Sequence, residues 1–413
     1  MLGARVFRVF ISSTFTDTVA ERNTLQGCVF EELRAYCALK GYGFQPVDLR
    51  WGIGEEASSG QRTMRICLSE IARCQAVSPR PNFVVLLGDR YGWRPLPEVV
   101  DAREFDTLRA LLDAEEAALA DACYHRDDNA VPPVYTLRSK ADTKVNWDDA
   151  QTHLRPALVT AAGQAGLDEA TAAKYWLSAT EQEIVEGALT APHADDHVFC
   201  LMRAIERLPA DAAAYRDLMP DGSLDTEAAG MLADLKRRLK DRLGDNHVKE
   251  YTATWQGDAP STAHIAELCA DMLAALKGVI DQEIERLSEL THLEQERAAH
   301  EVFAQERSEC FVGRVEYLDR IADYLAVGSD HPLCVFSEGG LGKSALVATA
   351  AARAAETHPD AAIVARYIGV TSASADPRSL LADLCAEIGV VYGSTDPVPS
   401  TLQELQHELP KRL

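Results

Sequence analysis

Apolar residues along the first hundred positions follow two alternating patterns. Three runs are rich in β-branched and aromatic residues, which is typical of strands: RVFRVFIS (5–12), FQPVDL (44–49) and NFVVLLGDRYGW (82–93). Between them, apolar residues recur every three or four positions, as at Leu25 and Val29, and predict helices. The third run is apolar enough to be buried on both faces, as in a parallel sheet. The alternation predicts a doubly wound α/β domain.

The next stretch, residues 94–174, is less regular and is interpreted as an insertion into this domain. The sequence KYWLSATEQEIVEGAL (174–189) then predicts a helix opened by Ser178 or Thr180, because hydroxyl side chains cap helix N-termini. A strand is predicted at DHVFCLMRAI, and the domain is expected to end near residue 215, so that it spans 1–215.

Residues 216–310 carry a long stripe of apolar residues at helical spacing, followed by strongly charged sequence. This pattern predicts a helical spacer. A third unit is expected at 311–413, with strands at 331–337 and 361–370 and helices after each. The fold class is therefore α/β, with a helical spacer between two α/β parts.

The third unit contains the sequence SEGGLGKS (337–344), which has the order of a phosphate-binding loop, G-x-x-x-x-G-K-[ST], with Ser337 in place of the first glycine. Such loops need a strand, a tight glycine turn and a helix whose amides face phosphate. Lys343 would meet the β- and γ-phosphates, and Ser344 would hold Mg²⁺. A chance glycine turn before a helix is the alternative. The nucleotide-binding residues predicted here are Gly339, Gly340, Leu341, Gly342, Lys343, Ser344 and Ala345.

Hydrolysis would need a second strand that ends in an aspartate on the Mg²⁺ shell. None of the carboxylates after Ser344 follows an apolar strand of four residues. The hypothesis is that the chain holds roughly the first third of an NTPase domain and is a fragment or a truncated product, so the ATPase is expected to be incomplete.

Charge and cysteine content narrow the functional classes. The net charge is −23, from 41 basic and 64 acidic residues, which argues against broad nucleic-acid binding. The sequence LKRRLK (235–240) is either a local basic patch or the solvated face of a helix. The ten cysteines are scattered without a CxxC pair, which indicates a reducing cytoplasm. No apolar run approaches the roughly 18 residues that span a bilayer.

Three segments in order, FVGRVEYLDRI, SEGGLGKSAL and RYIGVTSASADPRSLLADLC, resemble the start of a STAND-type (NACHT-like) signalling NTPase over about residues 300–413. The resemblance implies ATP, or another nucleoside triphosphate, bound with Mg²⁺. In such families the FVGR-type segment helps to hold the adenine nucleotide, which would implicate Val312, Gly313 and Arg314.

Four further segments, RVFISSTFTDTVAERNTL, PVDLRWGI, FVVLLGDRYGW and SATEQEIVEGAL, together resemble the TIR-like domain that precedes the NTPase in nephrocystin-type and telomerase-associated STAND proteins. The resemblance implies a flavodoxin-like parallel sheet with ligands at the carboxyl ends of its strands. The cleft would then contain Ser12, Ser13, Asp48, Arg50 and Trp51.

Some TIR domains cleave NAD with one helical glutamate, and the resemblance carries that role to Glu183, with Glu181 as its neighbour. The alternative is an ordinary glutamate in the first turn of a helix, in a domain that serves only as a scaffold. The insertion at 94–174 also departs from a simple TIR domain. We expect a cytoplasmic, nucleotide-regulated signalling protein that self-associates through its TIR-like and NTPase parts. Family inference adds that bacterial relatives with this arrangement are suited to defence against phage.

Overall fold

The computed structural model of the chain describes residues 6–49, 63–139, 145–289, 291–308, 311–327 and 331–413. The chain divides into two compact units. One unit consists of Phe7–Ile280, and the other is formed mainly by Asp281–Leu413.

The strands of the first unit are β1 (Val6–Ser13), β2 (Gly43–Val47), β3 (Phe83–Leu87), β4 (Val99–Asp101), β5 (Tyr124–Asp127), β6 (Val134–Leu137), β7 (Phe199–Glu206), β8 (Val248–Gln256) and β9 (Ala259–Pro260). Its helices are α1 (Val19–Thr24), α2 (Phe30–Leu39), α3 (Thr63–Val77), α4 (Ala102–Arg109), α5 (Ala114–Cys123), α6 (Trp147–Gln164), α7 (Glu169–Ala172), α8 (Ala179–Ile184), α9 (Ala194–His197), α10 (Thr226–Leu243) and α11 (Ile265–Glu289), of which α11 continues past residue 280. Two single π turns, Leu25–Val29 and Val185–Leu189, follow α1 and α8 directly.

The main sheet has six strands in the order β2-β1-β3-β7-β8-β9. The pairs β1–β3, β3–β7 and β7–β8 are parallel, whereas β8–β9 is antiparallel. All five residues of β3 are buried, as its unbroken apolar run predicts for the central strand of a parallel sheet. The α/β fold class is therefore confirmed. Because the strand order reverses at β1, the carboxyl ends of β1 and β3 form an edge where ligands bind in open α/β sheets.

The insertion between β3 and α8 forms a separate small sheet in the order β4-β6-β5, with both pairings antiparallel. Its core is formed by α4, α5 and α6 packed on this sheet and contains Phe105, Leu108, Leu154 and Leu158. The chain returns to the main sheet where it left, because the Ala179 amide donates to the Trp93 carbonyl at 2.8 Å.

The prediction that residues 216–310 are helical is wrong for residues 248–256, which form β8. This strand pairs with β7 over seven residues, from Cys200 opposite Val248 to Glu206 opposite Thr254. Its β-branched and aromatic residues favour a strand, and Val248, Tyr251 and Ala253 are buried. The local spacing of apolar residues does not reveal that this segment pairs with β7.

The second unit contains the remaining helices: α12 (His292–Ser308), α13 (Val315–Val327), α14 (Lys343–Thr357), α15 (Ser372–Ala375), α16 (Pro377–Val391) and α17 (Leu402–Arg412). The predicted strands at 331–337 and 361–370 are not strands in this structure. A strand requires a hydrogen-bonded neighbour, and within the described residues these two segments have none in ladder register. Phe336 is accordingly 92% exposed despite its strand-forming sequence.

Among the described residues, no helix is both long and apolar enough to cross a bilayer.

Candidate functional site

Two helices meet at the carboxyl edge of the main sheet, and each is interrupted by a π turn just beyond its charged residues. Glu21 and Arg22 lie in α1 immediately before the first π turn, and Glu183 lies in α8 immediately before the second. π turns are rare and occur frequently at functional sites, because the extra residue redirects the side chains around it. All three charged side chains are buried.

Glu183 occupies the centre of this edge. The Ser12 hydroxyl, near the end of β1, donates to Glu183 Oε2 at 2.6 Å. Burial raises the pKa of the Glu183 carboxyl to about 7, while hydrogen bonds with Ser12 and Cys67 and the charge of Arg22 act in the opposite direction. The carboxyl therefore exchanges its proton near neutral pH, which suits a group that works in acid–base or charge-stabilising chemistry.

Arg22 holds the neighbouring side chains in place. Its guanidinium pairs with both oxygens of Asp48, with Nε to Oδ2 at 3.2 Å, and it also donates to the Ser13 hydroxyl. Because a guanidinium is a planar fork, this two-point contact fixes the loop after β2 relative to α1. Ser13 and Asp48 are thus positioning groups in the described structure.

A second buried ion network lies along the same edge around Arg203 of β7. Its guanidinium reaches Asp89 at 2.7 Å and Glu21 at 3.3 Å, and it donates to the Asp17 carbonyl. Burial raises the pKa of Asp17 and of Asp89 despite the Arg203 charge. Arg203 therefore ties the ends of β3 and β7 to the start of α1.

Gly88, which follows β3, is required by this network. A Cβ at this position would overlap the Asp17 carboxylate and lie 2.7 Å from Arg203 Nη2. The backbone of β3 can approach the buried ion network only because the residue has no side chain.

Glu181 faces a different set of partners from Glu183. The Tyr91 hydroxyl and Arg238 both donate to its carboxylate, and the Ser178 hydroxyl caps α8 by accepting from the Glu181 amide at 3.1 Å. The hydroxyl N-cap predicted from the sequence is confirmed at Ser178.

The structure brings together three of the residues predicted for the cleft, Ser12, Ser13 and Asp48, with Glu183. Arg50 and Trp51 lie outside the described residues. The sequence-based prediction did not include Arg22, although the sequence contains a signal for it. Arg22 lies three positions before Leu25, on the apolar side of the helix. A charged residue at such a position is expected to be buried and therefore to need an ion-pair partner.

The basic sequence 235–240 lies within α10, and its charged side chains have partners inside the protein. Lys236 donates to the Gly88 carbonyl at 2.7 Å, Arg237 bonds Asp234, and Lys240 bonds Glu250 at 2.7 Å.

The phosphate-type loop of the second unit has the predicted turn and helix. Gly340 and Gly342 have φ values of 82° and 73°, which favour glycine, and α14 begins at Lys343. The N-cap residue of α14 is Gly342, so in the described part of this unit no N-cap side chain accepts from the first amides of the helix. Lys343 Nζ crosses the loop and donates to the carbonyls of Ser337 at 2.7 Å and Glu338 at 2.9 Å.

The remaining loop residues also have definite positions. Ser344 and Leu341 are exposed, Ala345 is half-buried, and Gly339 lies in the turn with Gly340. Arg314 approaches the loop, with Nη1 3.3 Å from the position a Cβ would take on Gly342. The preceding residues Val312 and Gly313 lie in a segment without regular secondary structure, where Val312 is 89% exposed. An anion at the loop would therefore meet helix amides, an ammonium and a guanidinium.

Comparison with known proteins gives one family match and several relatives whose names include a NACHT domain. Residues 8–121 match a family described as a domain of unknown function, DUF4062. NACHT domain- and WD repeat-containing protein 1 of Mus musculus is 29% identical over 93% of this chain and 26% of its own length. NACHT and WD repeat domain-containing protein 2 of Homo sapiens is 27% identical over 94% of this chain and 25% of its own length.

Telomerase protein component 1 of Rattus norvegicus is 40% identical over 22% of this chain and 3% of its own length. No solved structure matches the chain. The chain spans about a quarter of the length of the two NACHT-containing relatives. These similarities give the chain NACHT-type relatives, of the STAND NTPase kind.

Proposed function

We propose that this chain binds ATP with Mg²⁺ at the loop 337–344 and belongs to a cytoplasmic, nucleotide-regulated signalling protein. In this proposal the bound nucleotide controls self-association of the first unit, which serves as a TIR-like scaffold. The observation that carries the proposal is the loop itself, in which Lys343 crosses to the Ser337 carbonyl and the helix α14 begins directly after Gly342, whose side chain cannot cap its amides.

Three residues at the loop would contact the nucleotide in different ways. Lys343 donates to the carbonyls of Ser337 and Glu338 and to the Ser337 hydroxyl. Among the described residues it has no ion-pair partner, so its ammonium can turn to a phosphate without breaking an ion pair. The exposed hydroxyl of Ser344 would ligate Mg²⁺, which neutralises phosphate charge when bound. Arg314 would add a second positive charge at the same place.

Titration of a fluorescent ATP analogue with Mg²⁺ tests this proposal. Lys343→Ala should abolish saturable binding, whereas Lys411→Ala, which changes an exposed lysine of the same unit, should not. Light scattering with and without ATP then tests the control of assembly. Binding that is equal in both variants would refute the loop as the site, and assembly that is independent of ATP would refute the regulation.

The second candidate function is NAD cleavage at Glu183, which is favoured by one observation. Glu183 is a helical carboxyl at the carboxyl edge of the sheet, and it is held by Ser12. A carboxylate at this position could bind ribose hydroxyls and stabilise an oxocarbenium-like centre as nicotinamide leaves. Glu183 is only 8% exposed, so the substrate would reach it only if the surrounding loops opened.

Release of nicotinamide from NAD distinguishes the two candidates. Catalysis predicts release by the assembled protein, loss of release in Glu183→Gln, and retention in Glu186→Gln, which alters an exposed residue of the same segment. If the assembled wild-type protein releases no nicotinamide, the first unit acts as a scaffold only.

A further inference from the structure

A groove separate from the Glu183 cluster opens between the segment 169–177 and helix α10. Its volume is about 680 Å³, which lies within the range of small-molecule sites. The second π turn and the start of α8 form its floor. All of these elements belong to the first unit.

The walls of this groove are largely apolar. Trp176, Leu177, Val185 and Met231 line it together with small alanine side chains. Trp176 and Leu177 are both partly exposed, although Trp176 also packs against the core of the insertion. An apolar ligand body would bury this surface on binding.

The polar groups of the groove are mainly acidic. Glu169, Glu181 and Asp234 line it, and Arg238 is the one basic residue among the lining residues described. Arg238 is already bound to Glu181 and to Asp234. Glu169, by contrast, has no ion-pair partner among the described residues, so its charge is available to a ligand. An aromatic wall beside carboxylates is the chemistry that recognises organic cations.

A glycine keeps one side of the groove open. Gly230 lines the groove from within α10, where a helix-interior glycine costs about 1 kcal/mol relative to alanine. A Cβ at this position would meet no atom within 4 Å, so packing does not require a glycine here. The absence of a side chain has one visible effect, which is to leave the groove unobstructed.

We propose that this groove binds an organic cation with an apolar body, the charge being held by Glu169 and Trp176 and the body by Leu177 and Met231. This inference is independent of the nucleotide loop and of Glu183. The ligand class follows from the combination of apolar walls, an aromatic side chain and excess carboxylate.

Calorimetric titration of the whole chain with benzyltrimethylammonium tests the proposal. We expect saturable binding with a dissociation constant in the millimolar range or lower. Trp176→Leu keeps an apolar side chain but should weaken binding by about fivefold, since it removes the cation–π contact. Glu169→Gln, or raised salt, should weaken binding by about threefold or more, because the attraction is partly exposed to solvent.

Gly230→Leu should abolish binding by filling the groove, with a thermal unfolding midpoint no lower than that of the wild type. Gly278→Leu is the matched control, because Gly278 is also an exposed glycine inside a helix of this unit, with no atom within 4 Å of a Cβ. No saturable binding to the wild type would overturn the proposal. An equal loss in Gly278→Leu, or no effect of Glu169→Gln and salt, would overturn it as well.

Discussion

The protonation of Glu183 gives a prediction whose size follows from the structure. The carboxyl is buried, and its pKa is raised from 4.5 to about 7. At about 1.4 kcal/mol per pH unit, this difference corresponds to about 3 kcal/mol of stability linked to the proton. Because the folded state has the higher pKa, the stabilisation is complete below pH 4.5 and is lost as the pH rises through about 7.

The perturbation is Glu183→Gln, which resembles the protonated carboxyl and can still accept the Ser12 hydrogen bond. The variant and the wild type should have similar free energies of unfolding near pH 4.5. Above pH 7 the variant should be more stable, by about 3 kcal/mol, since the wild type then contains a buried carboxylate.

Urea unfolding between pH 4.5 and 8.5, followed by tryptophan fluorescence, measures this difference. Other titrating groups contribute equally to both proteins and cancel. Glu186→Gln, at an exposed position in the same helical segment, is the control and should show no comparable change. A difference between Glu183→Gln and wild type that does not vary with pH would refute the raised pKa and, with it, the acid–base capacity of the site.

Three further changes test the packing around the site. Gly88→Ala should cost about 2 kcal/mol or more in the free energy of unfolding, because the new Cβ would overlap the Asp17 carboxylate; thermal unfolding measures it. Gly187→Ala should cost about 1–3 kcal/mol in urea unfolding, since its Cβ would enter the ring of Phe83 in the core. Ser178→Ala should cost about 1 kcal/mol through loss of the helix cap, and Ser178→Asp should restore most of it in the same assay. A loss below 0.3 kcal/mol in any of the three would contradict the corresponding contact.

The local sequence pattern is sufficient to predict an element when burial or a cap within the same segment determines it. The buried run of β3 and the capped helix at Ser178 were predicted because burial on both faces and an N-terminal hydroxyl leave clear marks in the sequence. The residues predicted on strand ends, such as Ser12, lie beside Glu183, since parallel strands end at a common edge.

The missed features depend on partners that are distant in sequence. Arg203 interrupts an apolar strand. Its role as the centre of a buried ion network cannot be predicted from the strand alone, because its partners Asp17 and Asp89 are distant in sequence. The sequence around β8 predicts a helix, because the strand that pairs with it, β7, lies more than forty residues away along the chain. The segment around Phe336 shows the converse, because strand-like composition does not create a strand without a neighbour to pair with.

The insertion begins and ends at neighbouring points of the main sheet, and this has a consequence for how the fold can vary. Ala179 bonds Trp93, and the Ser178 amide bonds the Tyr91 hydroxyl at 3.1 Å, so the two ends of the excursion are adjacent in space. The excursion also has its own hydrophobic core. A module anchored by such a narrow stem can be shortened, exchanged or replaced by a foreign domain while the sheet keeps its register. Evolution and protein engineering can therefore alter the surface that this module presents without redesigning the ion network beneath it.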